Sequence, residues 1–439
     1  MPSAVNGVQT AAQSRRETIK SAKERNVSYV RLGFVDIFGI EKNVVIPVAQ
    51  LEAALDGKVT FDGGSIDGFV RGEEVDMVLR PDPATFAILP WTSAGPIEAR
   101  MLCDIANADG TPFEGCPRTT LRRVIEDSRD VIPKVASSLE VEFYLFDVAE
   151  DGSPTLHTSD SGSYFDFSPS DRGDDSRTAM VAALESMGIR VQSAHHEHGA
   201  GQHEIDTVER PILTSADALV TLRAVVKQVA TRHNVHATFM PKPLETSAGN
   251  GLHVYFDFGE ADEETRLQAI GGLLDHAQGC TAVCNPTVNS YKRLVAAWDA
   301  PVFTVWSHRS ANALVRLPAP LDGTQFIEVR SPDASCNPYL SMAVLIESMA
   351  DGIRKRILPG NPFTGSTYDL SDSYRAKNAI RKLPGTLGEA IAALDADPIV
   401  RGALGDHIYH AFRDAKLAEY ERYRRAVHAW ERDAYLRTF

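Results

Sequence analysis

Two carboxylates stand two positions apart in "SSLEVEFYLF", residues 137–146, a stretch typical of a β-strand. Side chains alternate along a strand, so Glu140, Glu142 and Tyr144 share one face and the apolar residues between them share the other. Like charges on one face repel each other, and burial increases that repulsion. The pattern therefore indicates that a positive charge is bound at this face.

Further acidic residues and a histidine occur in similar strand or turn settings. Glu197 and Glu204 lie in "HHEHGAGQHEID", His253 lies in "GNGLHVYFDF", and Glu328 shares a strand face with Arg330 in "QFIEVRSPD". Hard divalent cations prefer oxygen ligands, and a ligand set that includes a single histidine suits Mn²⁺ as well as Mg²⁺. Any one of these glutamates could be a solvated strand residue, but together they favour bound Mg²⁺ or Mn²⁺, which would cancel the repulsion.

Several other kinds of chemistry have no motif here. "HEHGA" is not His-Glu-x-x-His, so the four histidines between 195 and 203 do not predict a zinc protease. No P-loop, Rossmann fingerprint or Gly-x-Ser-x-Gly elbow occurs. If the protein transfers phosphate, metal ions and arginines must offset the charge.

The composition indicates a soluble globular protein with a large core. The 439 residues are 43% hydrophobic and 24% charged, with a formal net charge of −14, which disfavours nucleic-acid binding. We expect no membrane span and no signal peptide. Five scattered cysteines predict a reducing, cytoplasmic location, with Cys280 and Cys284 as buried thiols rather than zinc ligands.

The order of strand and helix patterns predicts an α+β protein with two domains. Residues 1–107 begin with a polar helix and continue through strand-like "VSYVRLGFVDIFG", "KNVVIP", "TFAILPW" and "EARMLCDI". "ANADGTPFEGCPR" is a Gly/Pro-rich boundary, and residues 108–439 form a larger domain that mixes strands and helices. We predict a polar loop around 150–175 and a helix-rich C-terminal quarter.

Seven segments, in order, resemble the signature segments of the glutamine synthetase family. They are "FDGGSIDGF", "EVEFYLF", "HHEHGAGQHEID", "TFMPKP", "GNGLHVYFDF", "NSYKRLV" and "IEVRSPDASCNPYL". The resemblance runs from about residue 17 to the C-terminus and is nearest to the compact class I enzymes. It implies a small N-terminal β-grasp domain and a large catalytic domain whose curved antiparallel sheet, with helices, holds two or three metal ions. It also implies stacked rings, usually dodecamers, with active sites shared between subunits.

The family reaction is ATP-dependent formation of an amide. Glutamate's γ-carboxylate takes the γ-phosphoryl group of ATP, and ammonia or an amine then displaces phosphate. The resemblance assigns two groups of metal ligands. The first group is Glu142, Glu197 and Glu204, and the second is Glu140, His253 and Glu328.

The same resemblance assigns substrate-binding and catalytic positions. Gly249 and Arg293 match residues that hold glutamate, and Arg330 matches an arginine that contacts glutamate and the transferring phosphoryl group. Arg316 matches a nucleotide-phosphate arginine. Asp62, which would reach in from the neighbouring subunit, matches the acid that binds ammonium and helps to deprotonate it.

The remaining resemblances concern the nucleotide and regulation. Tyr255 takes the place of a histidine that varies in the family, and we assign it to nucleotide binding. Tyr368 matches a position that is adenylylated in some relatives, a modification that we do not expect here. Arg71 matches a glutamine-sensing position.

The sequence departs from the family pattern around one pocket. The flap motif Arg-Leu-x-Pro-Gly-Tyr-Glu-Ala-Pro reads "RLVAAWDAP", so Trp298 and Asp299 replace tyrosine and the catalytic glutamate. Asp299 keeps the charge but shortens the reach by one methylene. Ala311 replaces a phosphate-binding arginine unless a two-residue shift restores Arg309. Phe326 also replaces a nucleotide-contacting arginine, and Ala248 replaces an asparagine.

These departures favour a glutamate–amine ligase that uses an organic primary amine, with Trp298 lining the acceptor pocket. A glutamine synthetase that uses ammonia is the alternative, supported by Asp62 and by the acidic residue at 299. A catalytically weak nucleotide-binding paralogue and a ligase with another acid substrate stay open as well. The six matching metal ligands argue against the weak paralogue.

Overall fold

The computed structural model describes residues 11–66, 68–69, 75–92, 95–158, 160–167, 169–320 and 323–439. The chain folds into two compact units. The first comprises Met1–Asp127, Val135–Phe239 and Asn337–Ala343, and the second comprises Ser128–Lys134, Met240–Cys336 and Val344–Phe439. Among the described residues, we find no helix whose length and apolar content would let it span a bilayer.

The first unit begins with a six-stranded sheet and two helices. The elements are α1 (Ala11–Glu24), β1 (Val27–Val35), β2 (Glu41–Pro47), α2 (Leu51–Leu55), β3 (Thr60–Asp62), β4 (Asp76–Pro81), β5 (Ala87–Ile88) and β6 (Ile97–Ala106). The strand order is β2-β1-β6-β4-β3, with β5 paired to β6. β1 and β6 are parallel, and the other pairs are antiparallel.

Alternating apolar residues build the core of this sheet. On β1, Val30 and Leu32 are fully buried, and Ala99 and Met101 on β6 are buried in the same cluster. Ala54 of α2 covers that cluster. Because each large apolar side chain that is buried contributes roughly 1.5–3 kcal/mol, this face fixes the register of the strands.

The predicted strand "TFAILPW" is largely wrong. Only Ala87–Ile88 pairs as a strand, and 3₁₀ turns at Pro83–Thr85 and Pro90–Thr92 flank it. Proline lacks an N–H group and fixes its own φ, so the prolines at 83 and 90 limit strand pairing. The strand was predicted from the apolar composition of the stretch, whereas the two prolines indicate a shorter strand.

The rest of the first unit is arranged around one long strand. Its elements are α3 (Pro117–Asp127), β7 (Ala136–Val148), β8 (Pro154–Thr158), α4 (Asp174–Ser186), β9 (Val191–His196), β10 (Gln202–Thr207), β11 (Arg210–Pro211), α5 (Ile212–Arg232) and β12 (Val235–Thr238). β7 pairs antiparallel with β8, β10, β11 and β12, and β9 pairs with β10. The segment predicted as a polar loop around 150–175 therefore contains a short strand, β8.

The second unit combines four strands with most of the C-terminal helices. Its elements are β13 (Leu252–Asp257), α6 (Glu263–Asp275), α7 (Ala277–Cys284), α8 (Ser290–Arg293), β14 (Trp306–Ser307), β15 (Val315–Arg316), β16 (Phe326–Val329), α9 (Pro338–Lys355, which begins in the first unit), α10 (Asp372–Lys377), α11 (Leu387–Ala396), α12 (Pro398–Leu404), α13 (Asp406–Arg425) and α14 (Ala429–Tyr435). β16 lies between β13 and β15 with antiparallel pairing, and β14 runs parallel to β15.

A buried charged cluster joins three of these helices. His276, between α6 and α7, has Nδ1 at 2.8 Å from Asp397 Oδ2 and Nε2 at 3.0 Å from Asp351 Oδ2. Burial lowers the pKa of His276, but hydrogen bonds to the two aspartates outweigh that effect and leave the pKa raised. Asp397 also caps α12 by accepting from Ile399 N and Val400 N. The ion cluster therefore ties α7 to α9 and to the start of α12.

All five cysteines are buried and lie outside any disulfide, as predicted for Cys280 and Cys284. Burial raises the pKa of Cys280 to about 12, so this thiol stays protonated. The helix-rich C-terminal quarter is confirmed. Its last segment forms two helices, because Ala426 is extended and His428 N donates to Glu431 Oε2 at the start of α14.

Candidate active site

An acidic face extends across three neighbouring strands of the first unit. Glu142 on β7 lies opposite Glu204 on β10, and Glu140 lies opposite Asp206. On the other side of β10, His195 of β9 lies opposite Glu204. The strand alternation predicted for Glu140 and Glu142 is confirmed, since both are half-buried between fully buried apolar neighbours.

The side chains of this face converge into two overlapping groups. One ligand atom from each of His195, Glu197 and Glu204 lies within 4.8 Å of the others, and the same holds for Glu140, Glu204 and Asp206. His195 Nε2 is 3.2 Å from Glu204 Oε1, and His195 Nδ1 is 3.7 Å from Glu197 Oε1. Glu204 belongs to both groups and is therefore the centre of the arrangement.

The electrostatics of these carboxylates call for a cation. Burial and the charge of Glu142 raise the pKa of Glu197 to about 8, and the same causes raise the pKa of Glu204. Burial raises the pKa of Asp206 as well. A divalent cation would offset the mutual repulsion and keep the carboxylates ionised. Several carboxylates with one histidine form a donor set that suits Mg²⁺ or Mn²⁺.

Of the first predicted group of ligands, Glu197 and Glu204 lie together with His195, and Glu142 lies opposite Glu204 across the strand pair. Sequence reasoning missed two neighbours, His195 and Asp206. Both were within reach of the alternation rule, because His195 precedes Glu197 by two positions and Asp206 follows Glu204 by two. What the sequence could not supply was the pairing of β9, β10 and β7 in this register.

An aromatic pair missed by sequence reasoning lies beside the acidic face. The Tyr164 ring stacks on His198 with centroids 4.4 Å apart, and the Phe165 ring lies 4.5 Å from the His195 ring. Burial and the charges of Glu197 and Glu204 raise the pKa of Tyr164. These aromatic rings therefore cover one edge of the acidic face.

A buried polar network supports the same strands. His196 Nε2 lies 3.1 Å from Asp160 Oδ1, and Arg177 donates to His203 Nδ1 at 2.9 Å and lies 2.7 Å from Asp171. Although these acids and histidines are close enough to suggest a metal site, Arg177 donates to His203 Nδ1, so Nε2 of that ring carries the proton and cannot coordinate a metal. The network is therefore a hydrogen-bonded support, consistent with the absence of a zinc motif.

In the second unit, a buried carboxylate is surrounded by basic residues. Glu328 is fully buried and lies opposite Tyr255 on β13 and Arg316 on β15. Arg330 donates to Glu328 Oε1, and Arg316 Nε is 3.1 Å from Oε2. His253 Nδ1 is 3.8 Å from Oε1. Four of the predicted site residues therefore surround Glu328 within this unit.

The two predicted glutamate-binding positions are in contact with each other. A Cβ on Gly249 would lie 2.6 Å from Pro241 O and 2.9 Å from Arg293 Cγ, so the close approach requires glycine. The guanidinium of Arg293 is buried and donates to Ser331 O at 2.9 Å and to Arg330 O at 3.1 Å. Arg293 therefore anchors the backbone that carries Arg330.

The flap, residues 295–300, has an unusual backbone. Trp298 and Asp299 have φ of 54° and 57°, two consecutive left-handed residues that are not glycine. Such conformations cost roughly 1–2 kcal/mol per residue and persist where the surroundings hold them. Trp298 is 56% exposed, with Lys242 Nζ at 5.8 Å from its ring centroid.

Asp299 lines a cavity of about 840 Å³ in the second unit. Arg309, Ala311, Asn312 and Tyr368 line the same cavity. Arg309 and Ala311 are both exposed, so the arginine two positions before Ala311 faces the space that also contains Asp299. A cationic side chain is therefore present in this cavity, although Ala311 itself carries no charge.

Two positions that depart from the family pattern contact each other. The rings of Tyr255 and Phe326 meet edge to face, with centroids 6.2 Å apart and an interplanar angle of 85°. Ala248 is buried beside Gly249. Because Tyr255 lies opposite Glu328, this ring pair places apolar surface beside the buried carboxylate.

Asp62 is exposed at the end of β3. Its Oδ1 accepts from Gly64 N at 2.8 Å and from Val75 N at 3.2 Å, so the carboxylate holds the turn that follows the strand. Arg71 lies outside the described residues.

Comparison with known proteins identifies relatives over nearly the whole length. Residues 26–108 match the glutamine synthetase β-grasp domain, and residues 114–435 match the glutamine synthetase catalytic domain. Glutamine synthetase of Thermus thermophilus is 44% identical, covering 97% of this chain and 99% of that protein. Glutamine synthetase of Staphylococcus aureus (strain MRSA252) is 43% identical, covering 96% and 97%. The solved structure of a GmaS/ADP complex has a TM-score of 0.84 and 28% identity, covering 96% and 99%.

The fold, the acidic site and these relatives define a ligase that forms carbon–nitrogen bonds between glutamate and ammonia or an amine. The chain belongs to the glutamine synthetase family. The expected fold, a small N-terminal β-grasp domain followed by a catalytic domain of strands and helices, is confirmed. Membership of the family assigns ATP as co-substrate and a divalent metal ion as cofactor.

Proposed function

We propose that this enzyme joins the γ-carboxylate of glutamate to an organic primary amine. The observation that carries the proposal is the flap, in which Trp298 presents a large, half-exposed ring next to Asp299. An apolar wall at this place favours an acceptor with carbon atoms over ammonium, because each buried CH₂ contributes about 0.8 kcal/mol. The aromatic contact between Tyr255 and Phe326 is a further change toward apolar surface.

The reaction proceeds in two group transfers. A γ-carboxylate oxygen of glutamate attacks the γ-phosphorus of ATP, and ADP leaves with the electrons of the broken P–O bond. The nitrogen lone pair of the amine then attacks the acyl carbon, and inorganic phosphate leaves. Asp299 accepts the proton that the nitrogen loses. Asp62, reaching in from a neighbouring subunit, binds the ammonium form of the acceptor and helps to deprotonate it.

The metal ions are assigned to the two groups of predicted ligands. Glu142, Glu197 and Glu204 would hold one ion, and His253 and Glu328, together with Glu140, would hold the other. When bound, such ions would neutralise phosphoryl charge and draw the carboxylates into their ionised form. The proximity of Glu197 to Glu204 and of His253 to Glu328 supports this assignment, and both Mg²⁺ and Mn²⁺ fit the donors.

The remaining residues bind substrates. Gly249 and Arg293 hold the backbone groups of glutamate, and Arg330 contacts glutamate and the transferring phosphoryl group. Arg316 contacts the nucleotide phosphates, and Tyr255 contacts the nucleotide. The ADP complex of GmaS supports a nucleotide site in this fold.

The quaternary structure and location belong to the same proposal. We assign residues 1–107 and 108–439 as the functional domains and expect stacked rings, a dodecamer, with each active site between subunits. A cytoplasmic location fits the five buried thiols.

A second candidate is a glutamine synthetase that uses ammonia. The 44% identity to the Thermus thermophilus glutamine synthetase favours it, as does the retention of an acidic residue at 299. On this alternative, the changes around Trp298 have no role in choosing the acceptor.

The test is phosphate release from ATP with glutamate and Mg²⁺, with ammonium compared against putrescine, spermidine, ethanolamine, methylamine and aniline. Product masses are measured in each reaction. Turnover with one class of amine supports the proposal and identifies the acceptor. Turnover with ammonium alone selects the second candidate, and no turnover with any acceptor rejects both.

A further inference from the structure

A tyrosine outside the flap contacts both ends of its strained turn. The Tyr368 hydroxyl lies 2.8 Å from Ala300 O and 3.2 Å from Ala297 O. These two carbonyls flank Trp298 and Asp299. A phenol has one hydrogen, so the two carbonyls share a single donor, and the hydroxyl bridges the turn.

The segment that carries Tyr368 is itself firmly held. Asn312 Oδ1 accepts from Thr367 N at 2.9 Å, and Asn312 Nδ2 donates to Ser366 Oγ at 3.1 Å. Thr367 is fully buried. The segment that carries Tyr368 is therefore held in place by its own hydrogen bonds where the phenol contacts the flap.

The hydroxyl keeps its proton under ordinary conditions. Burial and the negative charge of Asp299 raise the pKa of Tyr368 to about 12. The group therefore stays a donor to the flap carbonyls at neutral and mildly alkaline pH.

We propose that Tyr368 is a positioning residue: its hydroxyl acts as a latch that holds the flap in place. The latch thereby positions Asp299 to accept the proton from the attacking amine. The inference rests on the proposed function. Without the latch, Trp298 and Asp299 can leave their left-handed conformations, and water can reach the acyl phosphate. Water would then attack the acyl carbon, phosphate would leave, and glutamate would re-form without an amide. The latch therefore governs how much of the hydrolysed ATP yields product.

The test compares Tyr368→Phe with Tyr374→Phe in the full-length protein. The first variant removes one hydroxyl and keeps the ring. The second removes a hydroxyl from a nearby tyrosine that is 44% exposed and packs on Phe363 rather than on the flap. Two quantities are measured: backbone hydrogen exchange of peptides spanning 295–300, and the ratio of phosphate released to amide formed.

The latch predicts that Tyr368→Phe increases flap exchange several-fold and raises the phosphate-to-amide ratio several-fold, while Tyr374→Phe changes neither. Unchanged flap exchange in Tyr368→Phe would overturn the latch. Faster exchange with an unchanged ratio would overturn the positioning role. If the wild-type protein forms no amide with any acceptor, the proposed function fails, and the exchange measurement still decides whether Tyr368 holds the flap.

Discussion

Glu142 on β7 and Glu204 on β10 lie directly opposite each other across an antiparallel strand pair. Like charges in that position destabilise a sheet, and partial burial makes the effect larger. The strands pair in this register because Val141 and Ile205, on the other face, are both fully buried. Burial of the apolar face thus holds the two carboxylates close together, and a bound cation would offset their repulsion.

Removing the charge of Glu142 should have opposite effects on the stability of the metal-free protein and on the binding of Mg²⁺. We predict that Glu142→Gln raises the melting temperature without metal, because it removes a charge opposite Glu204. It should also abolish most of the stabilisation by Mg²⁺, which would otherwise be about 2.7 kcal/mol at a concentration 100 times the Kd. Thermal unfolding with and without Mg²⁺, together with the activity assay, measures both effects.

The matched control is Glu150→Gln, which removes an exposed carboxylate outside the acidic face. It should leave the Mg²⁺ response intact. Full activity of Glu142→Gln or Glu142→Ala at ordinary Mg²⁺ concentrations would contradict the assignment of Glu142 as a ligand.

Asp299 should act on the amine and not on the nucleotide. We predict that Asp299→Ala slows amide formation by about 10²–10⁴, the usual contribution of a positioned proton acceptor, and leaves nucleotide binding nearly unchanged. Asp299→Glu adds one methylene and tests whether the flap is built for the shorter side chain. The measurements are kcat for amide formation and the Kd of ADP, and equal losses in both would refute the role.

Arg309 should replace the charge missing at Ala311. Because Arg309 is exposed and lines the cavity that contains Asp299, Arg309→Ala should lower kcat by about 100-fold with little change in melting temperature. His308→Ala, at the neighbouring exposed position on the same cavity, is the control and should have a small effect. Wild-type kinetics in Arg309→Ala would show that other residues bind the phosphates.

The His276 cluster should make stability depend on pH. Because the pKa of His276 is raised in the folded protein, its contribution is complete below its unfolded value of about 6.5 and is lost as pH rises through the folded pKa. Asp397 has a lowered pKa, so its contribution is lost at low pH instead. The difference in melting temperature between wild type and His276→Gln should therefore be largest in mildly acidic buffer and shrink toward alkaline pH.

His233→Gln, at an exposed position after α5, provides the matched substitution. It should shift the melting temperature little at any pH. A difference between wild type and His276→Gln that stays constant from pH 5 to pH 9 would show that the cluster stabilises by packing alone.

Local patterns predicted the parts of the site that lie within one strand. The alternation in "EVEFYLF" placed Glu140 and Glu142 on one face, and the structure has them so. The alternation could not show that Asp206 lies opposite Glu140, because strand register depends on residues distant in the chain. Tyr164 was missed for a related reason, since its stacking on His198 joins a loop to a turn 34 positions further along the chain.

The predicted departures from the family pattern indicated which residues to compare in the pocket, but not how these residues contact each other. The sequence placed Trp298 and Asp299 in the flap, but no local signal encodes their left-handed backbone or the contact of the Tyr368 hydroxyl with Ala300 O. The sequence also left open whether Arg309 takes the place of the arginine missing at Ala311. Only the structure shows that Arg309 and Ala311 line the same cavity. Proline signals, by contrast, were present in "TFAILPW" and should have shortened that predicted strand.

The contact between Tyr255 and Phe326 makes these two positions dependent on each other. The two rings pack edge to face, with centroids 6.2 Å apart. Such a pair contributes about 0.5–1.5 kcal/mol beyond the area that it buries, and that free energy is lost when either ring is removed. The effects on stability of substituting Tyr255 and Phe326 should therefore not add when both are changed together.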